Sequence, residues 1–445
     1  MLEAQDFENV FTKRRRIAML AWDNPQMAFT SLNQYLDVEW LHDAFRKTRK
    51  DGAPGVDGQT WRDYEAHLEE NLQSLLERAK SGSYRAPPVR RVHIPKGGSS
   101  TETRPIGIPT IEDKVLQRAV VMILEAIYER DFHPCSFGFR PGCSAHDALE
   151  TFWQQSRKSG VQWVLEVDIR KFFDTLDHGH LRELLRLRVR DGVLLRLIDK
   201  WLKAGVLEGG QLSYPEAGSP QGGVISPILA NAYLHYVLDT WFHEVVLPRL
   251  KGRAFLIRYA DDFVIGFTDE HDARRVMAVV PQRFAKYGLA IHPDKTRLVR
   301  FGRPRRKQVP RAERPGTFTF LGFTHYWGLS LKGNWVIKRQ TASSRFTRAV
   351  QAISLWCQRN RHQPVPEQHA VLCQKLRGHF GYYGITGNSS QLHSFRTVVA
   401  RVWYQWLSRR KRKPRPTWAW FTRVLARYPL PPAIAVHSVC RVAKA

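Results

Sequence analysis

The stretch FLIRYADDFVIGF (255–267) constrains the fold more than any other part of this chain. Its flanks, 255–259 and 263–267, are mostly β-branched or aromatic, which suits two short strands. Ala260, Asp261 and Asp262 lie between them and have the length of a tight hairpin turn. Adjacent carboxylates at the tip of an apolar hairpin repel unless a cation compensates them. Carboxylate oxygens are the ligands magnesium prefers, so a divalent ion is the natural partner. Taken alone, an Asp-Asp pair reads more simply as a polar turn.

A third carboxylate changes that balance. VQWVLEVD (161–168) reads as an apolar strand that ends in Asp168. Carboxylates at two strand ends can bridge a pair of metal ions about 3.5–4 Å apart, the arrangement used for in-line phosphoryl transfer. The alternative for Asp168 is an N-cap of the following helix.

The charge points to a polyanionic partner. Lys and Arg number 69 against 41 Asp and Glu, a net charge of +28 spread along the chain. Nucleic acid is the usual counterpart of such a surface. An anionic membrane is the competitor, but no apolar run approaches the roughly 20 residues of a span. The start of the chain has no apolar core after its first charges, so a cytosolic location is expected. Cys135, Cys143, Cys357, Cys373 and Cys440 form no Cys-x-x-Cys pair and read as reduced thiols.

The 445 residues suggest two or three domains. Residues 1–50 read as largely helical, and 61–80 as a second helix. A basic hairpin follows, VRRVHIPKG (89–97) returning through 104–109; it suits a nucleotide clamp or simply a solvated hairpin. The loop GSPQGG (218–223) opens a helix over 225–238, whose first N–H groups are free for a phosphate or a template strand. A helix over 271–287 follows the hairpin, and from about 338 the pattern is purely helical. The polar sides of those last helices are strongly basic, and RRKRKPRP (409–416) precedes Trp418 and Trp420, a pairing that suits RNA.

Seven motifs occur in order: IPKG...RPIGIP (94–109), SFGFRPG (136–142), VLEVDIRKFFD (164–174), PQGGVISPILAN (220–231), YADD (259–262), GL...KT (288–296) and FLGF (320–323). Together they resemble the bacterial group II intron-encoded reverse transcriptases, also called maturases, over roughly residues 30 to 430. GAPGVDGQTW (52–61) is similar to their N-terminal extension, and LRGHFGYYGITGNS (376–389) to the start of their thumb. The resemblance implies an α+β right-hand polymerase: an N-terminal helical extension (1–85), fingers (86–160), an antiparallel palm bearing the YADD hairpin (161–330) and a helical thumb or maturase domain (335–445).

It also implies roles for individual residues. Asp168, Asp261 and Asp262 match the family's catalytic aspartates, and with the Ile169 backbone would hold two Mg²⁺ ions, Mn²⁺ being an alternative. Lys96, Arg104, Phe173, Gln221 and Lys295 match the surroundings of the incoming dNTP; Phe173 would exclude a 2′-hydroxyl by bulk. Arg140, Tyr259, Phe320, Leu321 and Gly322 match template and primer contacts. Arg345, Arg377, Arg409, Arg410, Lys411, Arg412 and Lys413 are the RNA-binding candidates of the thumb. Implied partners are an RNA template, a DNA or RNA primer, structured intron RNA and, as a further partner, target DNA; oligomeric state stays open. The resemblance implies no zinc-type HNH nuclease, since only 30 residues follow Arg415.

The expected function is RNA-directed DNA synthesis by two-metal nucleotidyl transfer, with help to intron splicing and retrohoming. A domesticated enzyme of repair or phage defence, or a splicing cofactor without polymerase activity, shares these motifs. An RNA-templated RNA polymerase would need room where Phe173 stands, and a two-metal nuclease would need further acidic ligands.

Overall fold

The structure is a computed structural model that describes every residue except Met1, 96–102, 215–216, 219–221, 307–309, 311–312, 411–415 and 438–445. In chain order its strands are β1 (Val89–Pro95), β2 (Thr103–Ile108), β3 (Trp163–Val167), β4 (Val206–Glu208), β5 (Gln211–Ser213), β6 (Ala254–Tyr259), β7 (Asp262–Phe267), β8 (Arg297–Arg300), β9 (Phe318–Phe320), β10 (Phe323–Leu329) and β11 (Trp335–Thr341). They form three sheets, ordered β2-β1-β4-β5, β6-β7-β3-β8 and β11-β10-β9. Helices precede, separate and follow them, so the class is α+β.

The sheet β6-β7-β3-β8 is antiparallel throughout and carries the acidic motifs. Its strands read as nearly continuous apolar runs because both of its faces are covered. Alternate residues feed two cores. Leu165, Val167, Leu256, Phe263, Ile265 and Phe267 join a large core with the helices around Ile111–Asp131 and Ser226–Leu234. Val164, Ile257, Val264 and Val299 join a smaller core with Phe152, Phe318, Phe320 and Phe323.

The first sheet pairs β1 with β2 antiparallel, as the basic hairpin predicts, and adds β4 parallel to β1. Beyond β11, helices Ser343–Arg359, Val365–Tyr383, Ser389–Leu407 and Trp418–Arg427 enclose a third core around Leu376, Phe395, Val399 and Trp403.

Several boundaries differ from the sequence reading. The acidic hairpin has a two-residue loop, Ala260–Asp261, because Tyr259 pairs with Asp262 and Asp262 opens β7. The N-terminal 50 residues contain a long helix, Leu2–Asp23, a single 3-10 turn at Leu32–Tyr35 and a helix at Val38–Arg46. Phe29, within the span read as largely helical, instead bridges to Val189. The helix expected over 61–80 is two, Trp61–Glu65 and Leu68–Ser81. The helix expected over 225–238 continues from Ser226–Leu234 through π-helical turns at His235–Thr240 and Phe242–Val246. A domain boundary at 335 would cut a sheet, since β11 pairs with β10 over its whole length; the helices start at Ser343.

The acidic turn is pressed from outside by the segment 136–142. An added Cβ on Gly138 would stand 2.2 Å from the Ala260 nitrogen. Only glycine fits that approach. Gly138→Ala is therefore expected to lower unfolding stability by about 1–3 kcal/mol, the usual range for overpacking. Denaturant titration checks this, and an unchanged midpoint with an unchanged slope would contradict the close approach.

Candidate active site

The register of the sheet brings the distant carboxylates together. Pairing runs from Trp163↔Phe267 to Val167↔Phe263, and one further step sets Asp168 across from Asp262. Side chains alternate along a strand, so Glu166, Asp168, Asp262 and Val264 share one face. That face opens into a cleft of about 380 Å³, bordered also by Asp294, Lys295, Arg297, the turn at Leu321–Gly322 and Arg345.

The carboxylates feel one another. Burial, then the neighbouring Asp261 and Asp168, push Asp262 up to about 6. Its side chain still reaches solvent through the open cleft. Burial and the charge of Asp168 also raise Asp261. Cations on three sides oppose this: Arg104 and Arg258 act on Asp261, and Arg345 acts on Asp262. Asp168 is bound directly, with Lys295 Nζ 2.8 Å from its Oδ2.

Lys295 reaches Asp168 because the segment after the helix Glu270–Ala285 runs back beside the end of β3. Ile169 bridges to Ile291, Arg170 N donates to Ala290 O at 2.7 Å, and His292 N donates to Asp168 O at 2.8 Å. These two hydrogen bonds use the Asp168 carbonyl and the Arg170 N–H, and neither uses the Ile169 carbonyl. The chain then turns at Lys171, with φ +47°, into the short helix Phe172–Thr175. Phe173 is half-buried there, edge-on to Phe172 at 5.3 Å.

Backbone strain gathers at the same place. Among the described residues, the non-glycine positions in the left-handed region are Phe139, Lys171, Ala260 and Leu321. Each belongs to a different motif of the sequence, and such outliers concentrate at functional sites. Ala260 and Leu321 both head two-residue hairpin loops, where glycine is the usual choice. The second of these loops is tied to the C-terminal helices: Tyr382 Oη donates to Leu321 O at 2.9 Å, and Ala342 N to Gly322 O at 3.0 Å.

The site residues expected from sequence divide into three groups. Asp168, Asp262, Lys295, Phe320, Leu321, Gly322 and Arg345 line the cleft, with Asp261, Tyr259 and Arg104 beside it. Phe320 is 3 % exposed and serves the smaller core, so its turn, not its ring, is what the cleft presents. Arg140 is turned inward: its guanidinium meets Glu129 at 3.0 Å, Ser136 O at 2.7 Å and His133 O at 3.1 Å. It braces the 136–142 loop, while the neighbouring Phe139 is exposed.

On the C-terminal helices Arg345 and Arg377 are exposed. Arg409 lies 4.7 Å over the Trp406 ring, and Arg410 is spent on the carbonyls of Arg361 and Gln363. Lys96, Gln221, Lys411, Arg412 and Lys413 lie outside the described residues. The flanks of Gln221 are held, however. Gly218 N donates to Leu176 O at 2.9 Å, and Gly222 sits so close to β2 that a Cβ would meet Gly107 O at 2.6 Å.

Sequence reasoning missed Glu166, which pairs with Arg297 at 2.8 Å on the cleft face. Strand alternation from Asp168 could have found it. It also missed what lies behind the hairpin. Arg258 and Asp239, both fully buried, pair at 2.5 Å, and Arg258 Nη1 donates to Asn231 Oδ1 at 2.9 Å. An arginine inside an apolar strand was a visible signal; Asp239 gave none.

The donor set suits magnesium. Among the described residues no three acidic, histidine or cysteine side chains are gathered so as to hold a metal ion by themselves. Magnesium is usually held by one or two carboxylates completed by substrate phosphates and water, and an open face of hard oxygen donors fits that habit.

Comparison with known proteins identifies the family. The family "Reverse transcriptase (RNA-dependent DNA polymerase)" matches residues 94–325, just over half of the chain. Protein YkfC of Escherichia coli is 37% identical over 284 residues, which cover 57% of this chain and 74% of that protein. The group II intron-encoded protein LtrA of Lactococcus lactis is 39% identical over 223 residues, 49% of this chain but only 36% of LtrA. Nuclear intron maturase 1 of Arabidopsis thaliana is 33% identical over 95 residues, 21% of this chain and 13% of that protein. Among the described residues no helix is long and apolar enough to cross a membrane. The chain belongs to the reverse transcriptase family, and within it to the group II intron type of reverse transcriptase and maturase.

Proposed function

We propose that this chain is an RNA-directed DNA polymerase that extends a primer on an RNA template, and that its basic helical region binds structured RNA of the group II intron kind. The observation that carries the first part is the convergence of Asp168 and Asp262, 94 positions apart in sequence, on one face of one cleft beside Asp261. The net charge of +28 and the names of the intron-encoded relatives support the second.

In this reading Asp168, Asp261, Asp262 and the Ile169 carbonyl hold Mg²⁺. Ions held by these residues would supply the positive charge that favours ionisation of the primer 3′-hydroxyl and offsets the charge of the departing pyrophosphate. The 3′-oxygen forms its bond to the α-phosphorus as the α–β phosphoanhydride breaks, and the hydroxyl proton leaves to solvent. Lys295, paired with Asp168 in this structure, would be free to turn its ammonium to the triphosphate if that carboxylate held a metal ion. Arg104 at the mouth, with Lys96 near it in sequence, adds positive charge for the same phosphates. Gln221 would back the nascent base pair, its described flanks Gly218 and Gly222 being held at Leu176 and at β2. The Leu321–Gly322 turn and Arg345 grip the primer. Catalysis then rests on position and preorganised charge.

Three outcomes test this reading. Joint substitution Asp261→Ala with Asp262→Ala should abolish primer extension on RNA and leave RNA affinity within about twofold; retained extension would move the active site elsewhere. Phe173→Val should admit ribonucleotides, with the dNTP preference falling at least tenfold in competition assays.

The third concerns pH. Asp262 has a folded value near 6 against an ordinary 3.8, so ionising it opposes folding. That cost is absent below about 4, grows between 4 and 6 and is complete above 6. In chelator, Asp262→Asn should therefore melt several degrees higher than the parent at pH 8, and the gap should close toward pH 4. Added Mg²⁺ should raise the parent's melting temperature more than the variant's. A gap that is independent of pH would contradict the repulsion.

A further inference from the structure

The acidic hairpin is backed by a buried polar group in an otherwise apolar layer. Arg258 lies on the β6 face opposite the cleft, at the parity of Leu256 in the large core. It is 0 % exposed, as is Asp239. Its Nε donates to Asp239 Oδ1 at 2.8 Å and its Nη2 to Oδ2 at 2.5 Å, a two-pronged ion pair. Its Nη1 donates both to Asn231 Oδ1 at 2.9 Å and to Ala260 O at 3.0 Å. Asn231 Nδ2 in turn donates to Gly138 O at 2.6 Å, and Gly138 is the residue pressed against the Ala260 nitrogen.

This group therefore grips the acidic turn twice. The Ala260 carbonyl belongs to the peptide that joins Ala260 to Asp261, so the Arg258 hydrogen bond fixes the plane of that peptide. The preceding peptide is fixed by Gly138. Ala260 is held at φ +56°, a conformation alanine does not favour, and an unsupported turn would relax out of it. Any such relaxation rotates Asp261 and shifts the start of β7 at Asp262.

The helix behind the sheet is shaped for this contact. Asn231 and Asp239 are eight residues apart, and in a regular α-helix that spacing leaves them roughly 80° out of line. The π-helical turn His235–Thr240 takes up an extra residue between them. They then behave as about seven residues, close to 20° from alignment, and both reach one guanidinium.

We infer that Arg258, Asp239 and Asn231 act as positioning residues that set the metal-binding carboxylates of Asp261 and Asp262 from behind the sheet, with the π-helical turn as the element that brings them into register. The inference rests on the polymerase reading of those carboxylates. It predicts a defect in metal geometry, not in nucleic-acid binding. Magnesium demands near-ideal octahedral coordination and tolerates displaced carboxylates poorly, whereas manganese is more forgiving.

The experiment compares the full-length parent with Arg258→Lys, Asn231→Ala and the joint variant Asp261→Ala with Asp262→Ala. It measures Mn²⁺ binding without nucleotide by electron paramagnetic resonance, the Mg²⁺ half-saturation of primer extension, the Mn²⁺/Mg²⁺ rate ratio, RNA affinity and melting temperature. Arg258→Lys and Asn231→Ala should weaken Mn²⁺ binding and raise the Mg²⁺ half-saturation at least tenfold. The Mn²⁺/Mg²⁺ rate ratio should rise, and RNA affinity should stay within about twofold. Should Arg258→Lys fail to fold, Asn231→Ala decides alone, because it leaves the Arg258–Asp239 ion pair whole and removes only the two hydrogen bonds of Asn231 itself, to Arg258 Nη1 and to Gly138 O. Parent-like metal affinity in folded Asn231→Ala, or activity that falls only with the folded fraction, would overturn the inference while the polymerase reading stands. Primer extension by the joint aspartate variant would overturn both.

Discussion

Asp168, Asp261 and Asp262 repel one another across a cleft, and that repulsion is the constraint around which the chain is arranged. A protein with a net charge of +28 has cations to spare, yet it does not simply neutralise the three with permanent partners. Asp168 has a lysine on a solvent-facing loop, a partner that can leave. Arg104 and Arg345 act on Asp261 and Asp262 from a distance. The buried arginine nearest the turn is given its own aspartate behind the sheet. The result is an acidic centre in a basic molecule whose cations are exposed or act from a distance, the electrostatic setting that the proposed magnesium sites need.

What could be read from sequence was what periodicity and local composition control. The strands of the acidic hairpin, Asp168 at its strand end, the basic β1–β2 hairpin and the helical stripes of the C-terminal region all follow from apolar patterning. The two-residue loop was less accessible, because Asp262 looks like a turn residue and only pairing with Tyr259 puts it in β7. The inward turn of Arg140 depends on Glu129 and on two carbonyls of a loop, which no spacing announces. Trp335–Thr341 is a mixed polar and apolar strand next to a helix, and its place in the last sheet comes from pairing with β10. Asp239 sits in a helix whose α-helical spacing points it elsewhere, so its contact with Arg258 is legible only once the π-helical turn is known.

The left-handed residues carry a related lesson. Phe139, Lys171, Ala260 and Leu321 lie far apart in sequence, and each occupies a turn where glycine would be more comfortable. Alternative conformers at such positions are close in energy, so the surroundings decide which is adopted. Here the surroundings are hydrogen bonds and close packing: Arg258 and Gly138 for Ala260, Tyr382 for Leu321. Turns held in this way keep their shape without a ligand to mould them.

The central position of β3 has a consequence for how such a protein can diverge. The strand is paired on both sides along its length, with Trp163 standing between Phe267 and Arg300 and Leu165 between Ile265 and Leu298. Main-chain ladders do not depend on which side chains they carry, and any slip by one residue would exchange the contents of two separate cores. The spacing of the acidic groups is thereby insulated from drift in the surrounding sequence. Side chains elsewhere on the strands can change without moving Asp168 and Asp262 from the face they share.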